Sequence, residues 1–224
     1  MLQRYQTTNL FYNKYVFKLR LKNDLAAMYR GLKFDSIKTK IDEMHREAEA
    51  QLPITNPFRM HKKTVSLETF MDNLHIYQCL LEGEGKCIAR CEANNLDIYT
   101  NHIEILEKIM ARVKAIALYE PASDSNLDYL LKNPNTHIVE GPIKWRYKAW
   151  MGGSVDSNFS NFCTANKNNI KIGDKALSSI VKNHYTDGYY FLTTDERYLM
   201  LARIALGGKI TKIVKFVTEA EMHK

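Results

Sequence analysis

The chain predicts a mixed α/β (α+β) fold: two ferredoxin-like βαββαβ-type halves in tandem, the first carrying an added helical insertion. Three observations lead there. "KYVFKLRLK" at 14–22 and "KWRYKAWMGG" at 144–153 both alternate apolar with basic residues at a period of two, the mark of a half-buried strand. "LDIYTNHIEILEKIMARVKAIALYEP" from Leu96 and "YFLTTDERYLMLARIALGGKITKIVKFV" from Tyr190 each read as strand, capped helix and strand. The segments follow one another in the same order in both halves, so the pattern is written twice.

Residues 1–13 read as an N-terminal extension and 14–120 as the first half. In its opening strand Tyr15, Phe17, Leu19 and Leu21 share one face, with Val16, Lys18, Arg20 and Lys22 on the other. The helical insertion covers 34–81. Within it Ile37, Ile41, Met44 and Ala48 fall on one helical face, Pro53 and Pro57 frame an extended loop, and Ser66 caps a second helix. "KCIARCE" and "LDIYT" form a hairpin turned at "ANN". Asn101 with Glu104 has the spacing of an N-cap and its acid, ahead of a stripe of Ile105, Leu106, Ile109, Met110 and Val113. Residues 121–142, with Pro121, Pro134 and Pro142, read as a linker holding a short helix at Leu127–Leu131.

The second half, 143–224, opens on a strand with Trp145, Tyr147, Ala149 and Met151 toward the core. Lys144, Arg146, Lys148 and Trp150 take the opposite face. Asp187-Gly188 turns the chain into the next strand. Thr194 or Asp195 then caps a helix whose buried stripe is Tyr198, Leu201, Ala202 and Ala205, and Gly207-Gly208 ends it.

Composition narrows the function. Hydrophobic residues at 45% and charged residues at 25% are ordinary for a soluble globular chain. No apolar run approaches the roughly 18–20 residues that span a bilayer, and "MLQRYQTTNLFYNKY" lacks the apolar core of a signal peptide. The expectation is a cytoplasmic protein with no membrane partner and reduced cysteines. A net charge of +7 favours an acidic partner, either nucleic acid or an acidic protein surface.

No catalytic signature emerges. His75, Cys79, Cys87 and Cys91 have the residue types of a structural zinc set. On a strand, however, Cys87 and Cys91 stand about 13 Å apart at roughly 3.3 Å per residue, too far to share one ion. Both are expected as buried free thiols, and no metal or other cofactor is expected. The chain has no Gly-x-Ser-x-Gly elbow and no P-loop, Cys163 has no activating neighbours in sequence, and Asp195-Glu196 sits where a helix cap belongs. "MGGS" at 151–154, ahead of Asp156, reads as a strand-to-helix turn, with its amides as the alternative anion site.

What stands out is the wet face of the two strands. Lys144, Arg146, Lys148 and Trp150 interleave cations with an aromatic plane, the combination that meets phosphates and stacks on bases of a single strand. Lys18, Arg20 and Lys22 provide the matching cations of the first half, and Arg59, Lys62 and Lys63 add a basic loop. These ten residues are the candidate nucleic-acid contacts. Lysines that keep a sheet face soluble and its edge unpaired are the plainer account of the same pattern.

"DGYYFLTTDERYLMLARIALGGKITKIVKFV" and "KNNIKIGDKAL" resemble stretches of uncharacterised proteins of tailed bacteriophages. The resemblance covers mainly the last third of the chain. It implies a phage origin, hence the host cytoplasm, and attaches no activity. The expected function is non-catalytic binding of RNA or single-stranded DNA. The alternative is a phage-type interaction or assembly protein that meets a host enzyme or virion component through its basic surfaces.

Overall fold

The computed structural model describes residues 2–57 and 64–222, and the chain divides into two compact units, Met1–Thr7 with Phe11–Leu127 and Thr8–Leu10 with Asp128–Lys224. Both are mixed α+β, and each is built on one five-stranded sheet.

In the first unit the strands are β1 (Gln3–Gln6), β2 (Phe17–Lys22), β3 (Cys87–Glu92), β4 (Asn95–Thr100) and β5 (Ala115–Glu120). They lie in the order β1-β5-β2-β4-β3, with β1 parallel to β5 and the other pairs antiparallel. Phe17, Leu19 and Leu21 take the core face of β2 as read from sequence, but Val16 and Lys18, expected on the wet face, are buried as well. Helices α1 (Phe34–Glu49) and α2 (Leu67–Glu82) come between β2 and β3, and α3 (Ile103–Met110) between β4 and β5. Ile37, Ile41 and Met44 bury the expected face of α1. Ser66 caps α2 by accepting the Thr69 N–H at 3.1 Å.

The second unit contains β6 (Thr136–Val139), β7 (Tyr147–Met151), β8 (Ile170–Ile172), β9 (Tyr190–Thr193) and β10 (Ile210–Thr218). Their order is β6-β10-β7-β9-β8, with β6 parallel to β10 and the rest antiparallel. Counted along each unit, both sheets run first, fifth, second, fourth, third. Helix α5 (Asn158–Ala165) follows β7, α6 (Asp174–Val181) joins β8 to β9, and α7 (Glu196–Ala205) joins β9 to β10. The core collects Ala149 and Met151 from β7, Phe159 and Cys163 from α5, Ile180 from α6, Phe191 from β9 and Ala202 from α7.

Several expected boundaries move. Residues 1–13 carry β1, and 121–142 carry α4 (Asp124–Lys132) and β6. The four residues of β1 are all exposed and β6 has only four, so neither showed a buried-strand alternation long enough to read. The insertion drawn over 34–81 divides: α2 holds the place that α5 holds in the second unit, and α1 is the addition. The third and fourth strands of the first unit meet through Ala93 and Asn94, whereas α6 fills that position in the second.

One helix start and one helix stripe differ from expectation. His102 is the N-cap of α3, and the Asn101 side chain instead accepts the Val16 N–H at 2.9 Å and donates to the Lys14 carbonyl at 3.0 Å. Asp195 caps α7 as expected, accepting the Tyr198 N–H at 3.1 Å. The buried side of α7 is Leu199 and Ala202, while Leu201 and Ala205 are exposed. Gly207 and Gly208 end it at φ 57° and 83°, a conformation that costs other residues a clash at Cβ.

Candidate nucleic-acid interface

Because β7 sends Ala149 and Met151 into the core, Lys148 and Trp150 must emerge on the other face of the sheet. Cross-strand register then decides their neighbours. Trp150 lies opposite Tyr190 on β9 and Lys212 on β10, and Lys148 lies opposite Leu192 and Val214. Lys171 on edge strand β8 extends the Lys148 row across Leu192.

The result is an interleaved cluster. Lys148 Nζ stands 3.8 Å from the Tyr190 ring centroid and 4.6 Å from that of Trp150. Lys212 Nζ stands 5.5 Å from Trp150, and the two rings are 6.1 Å apart. Each cation–ring contact is worth about 0.5–1 kcal/mol at an exposed site, enough to order the lysines while leaving N–H donors free. Tyr190 is 44% exposed. Neither Lys148 nor Lys212 meets a carboxylate among the described residues. His137 and Phe216, with ring centroids 5.5 Å apart, carry the face toward β6. Burial and then the nearby Lys148 push the His137 imidazole below its usual value, which keeps it neutral near pH 7.

The first unit repeats the geometry and closes it. Lys18 lies opposite Tyr99 on β4 and Tyr119 on β5, and Arg20 opposite Asp97. Asp97, 2% exposed, accepts from Arg20 Nε at 2.6 Å and Nη2 at 2.7 Å, and pairs with Lys18 Nζ at 3.1 Å. Burial alone would raise the Asp97 pKa, but the hydrogen bonds from Arg20 and Lys18 outweigh it and hold the carboxyl below its usual range. Around Lys18 Nζ stand Tyr119 at 5.0 Å, Tyr99 at 5.5 Å and Phe11 at 5.8 Å. Phe11 is brought there by the turn it closes with Tyr15, through backbone bonds of 2.8 and 2.9 Å. Lys18 and Arg20 are therefore spent inside the protein.

The ten candidate contacts separate accordingly. Lys148 and Trp150 sit together with Tyr190 and Lys212 on an open face. Lys18 and Arg20 do not stand free for phosphate: Lys18 is buried, both pair with Asp97, and Glu92, 3.7 Å from Arg20, supplies the second negative charge. The first face carries aromatics too, Tyr99 from β4 and Tyr119 from β5. Lys22 is exposed at the end of β2. Arg146 is held by Glu221 at 2.5 Å, and that contact with the Thr218 N–H keeps the Glu221 carboxyl at about 2. Lys144 is exposed and packs its ammonium over Trp145, 4.9 Å from the ring centroid. Arg59, Lys62 and Lys63 lie outside the described residues.

The other chemical candidates take structural places. The amides of the "MGGS" turn are engaged, Gly152 N–H by the Lys209 carbonyl at 3.0 Å and Gly153 N–H by Asp187 Oδ1 at 2.7 Å, so they offer no anion site. Cys87 donates to the Gly83 carbonyl, while Cys91 is only half-buried and points its thiol at the Ala26 carbonyl. No group of three or more metal-ligating side chains occurs among the described residues. No helix among them is long and apolar enough to cross a membrane.

Tyr190 and Lys212 were visible as members of strands, but only the pairing of β9 and β10 with β7 makes them neighbours of Trp150. Comparison with protein-family models, curated proteins and solved structures found no match to this chain.

Proposed function

We propose that the chain is a non-catalytic protein of two ferredoxin-like units that binds RNA or single-stranded DNA on the open sheet face of its second unit. Supporting the fold reading, setting aside the parallel edge strand leaves four antiparallel strands, ordered fourth, first, third, second, with a helix after the first and third. The observation that carries the function is the pairing of Trp150 and Tyr190 on adjacent strands, with Lys148 and Lys212 between and beside the rings. Sheets of this kind stack two or three bases on neighbouring strands while lysines follow the phosphates. The stretches resembling tailed-phage proteins fit a phage origin and action in the host cytoplasm.

A labelled oligonucleotide titrated by anisotropy tests the reading. Trp150→Ala and Tyr190→Ala should each weaken binding by about 1–3 kcal/mol, the worth of one stacked base. Lys148→Ala and Lys212→Ala should each lower the slope of log affinity against log salt by about 0.7. Arg20→Ala should leave that slope unchanged. Equal affinity across these variants would leave only diffuse charge attraction.

An interaction or assembly role is favoured by a different observation. Met200, Leu201 and Ile204 expose 48%, 41% and 75% of their surface on α7, a run of apolar side chains turned to solvent. Under that reading α7 substitutions, rather than face substitutions, would abolish partner binding.

A further inference from the structure

The second unit also holds a groove on the helix-facing side of its sheet, with a volume of about 350 Å³. Its floor is Cys163 and Ile170, each 2% exposed, and its sides are the half-buried Trp145 and Leu177. Lys167, exposed, stands at its mouth. Lys144 sets a second ammonium over the Trp145 ring, 4.9 Å from its centroid. No carboxylate lies among the described lining residues. Burial raises the Cys163 thiol to about 12, so the floor carries no charge near pH 7.

We infer that this groove binds a single nucleotide, a base carrying a phosphate. An apolar floor beside an indole suits a flat ring system, and a purely apolar ligand would leave these two lysines without use. A bare anion, conversely, would find no donor on the floor. The volume lies near the small end of about 300–1,000 Å³ for ligand pockets, which limits the occupant to one ring system with its phosphate. The site is separate from the strand-binding face. Trp145 shares the parity of Tyr147 and Ala149, whereas Trp150 projects to the other side of β7. Free mononucleotide and the 5′-phosphorylated end of a strand present the same chemistry.

The chain has two tryptophans, so Trp150→Phe leaves Trp145 as its sole indole reporter. Adenosine monophosphate should quench Trp145 emission saturably, with half-saturation below about 1 mM. Adenosine should bind at least about tenfold more weakly, as should the nucleotide to the exposed-site variant Lys167→Glu. A 5′-phosphorylated dinucleotide that quenches at lower concentration than the mononucleotide assigns the groove to a strand end, and the reverse order assigns it to free nucleotide. The inference fails if quenching does not saturate, if adenosine matches its phosphate, or if charge reversal changes nothing. Should that variant lose its native melt, Lys167→Gln read by calorimetry carries the same comparison.

Discussion

Replacing Asp97 by Asn removes the carboxylate that pairs with both Lys18 and Arg20 while keeping the side-chain volume, and leaves Arg20 its second partner, Glu92. The Lys18 side chain is 11% exposed and that of Asp97 3%, so the lysine is left charged and largely dehydrated, whereas Arg20, at 29%, recovers some hydration. Removing one partner of a buried pair costs about 3–5 kcal/mol. The three rings around Lys18 remain and offset about 1–2 kcal/mol of that. The expected loss is therefore about 3 kcal/mol, or about 6–12 °C in melting temperature for a chain of this size. Far-UV circular dichroism or calorimetry is the required assay, because both tryptophans lie in the second unit.

The pH dependence follows from the lowered Asp97 pKa. Its contribution is complete above the ordinary carboxylate value of 3.8 and is lost as pH falls through the lower folded value. The gap between wild type and Asp97→Asn should accordingly narrow below about pH 4. Lys18→Met combined with Asp97→Leu should recover most of the loss, since an apolar pair replaces a buried ionic one with little penalty. A loss under about 1 kcal/mol for Asp97→Asn, the range of an exposed pair, would refute the reasoning.

Asp195→Ala removes the side-chain acceptor for the Tyr198 N–H and should cost about 1 kcal/mol in a urea melt, with Thr194→Ala costing less. Among the thiols, half-buried Cys91 should react with a disulfide reagent before Cys163, whose burial raises its pKa to about 12; mass spectrometry of the partially labelled protein reads the order.

Period-two alternation was legible wherever one strand face meets the core, as at Phe17, Leu19 and Leu21 or at Ala149 and Met151. The helix stripe of α7 was harder. Tyr198, Leu201 and Ala205 satisfy the 3.6-residue repeat through Ala202 as well as Leu199 and Leu206 do, and an apolar residue at Ile204 blurs the polar side. Which cations are free was not legible at all. It depends on register: Asp97 falls opposite Arg20, whereas Leu192 and Val214 fall opposite Lys148. The same basic alternation thus produces a self-neutralised face in one unit and an open one in the other.

The most direct test follows Trp150 itself. In Trp145→Phe the remaining indole reports from the open face, and a single-stranded oligonucleotide is titrated while emission and anisotropy are read on the same sample. Base stacking on Trp150 predicts saturating quenching whose midpoint coincides with the anisotropy midpoint, and loss of both signals when Lys148 and Lys212 are changed to Glu. Binding by anisotropy with Trp150 emission unchanged would contradict the account, as would the absence of binding at low salt.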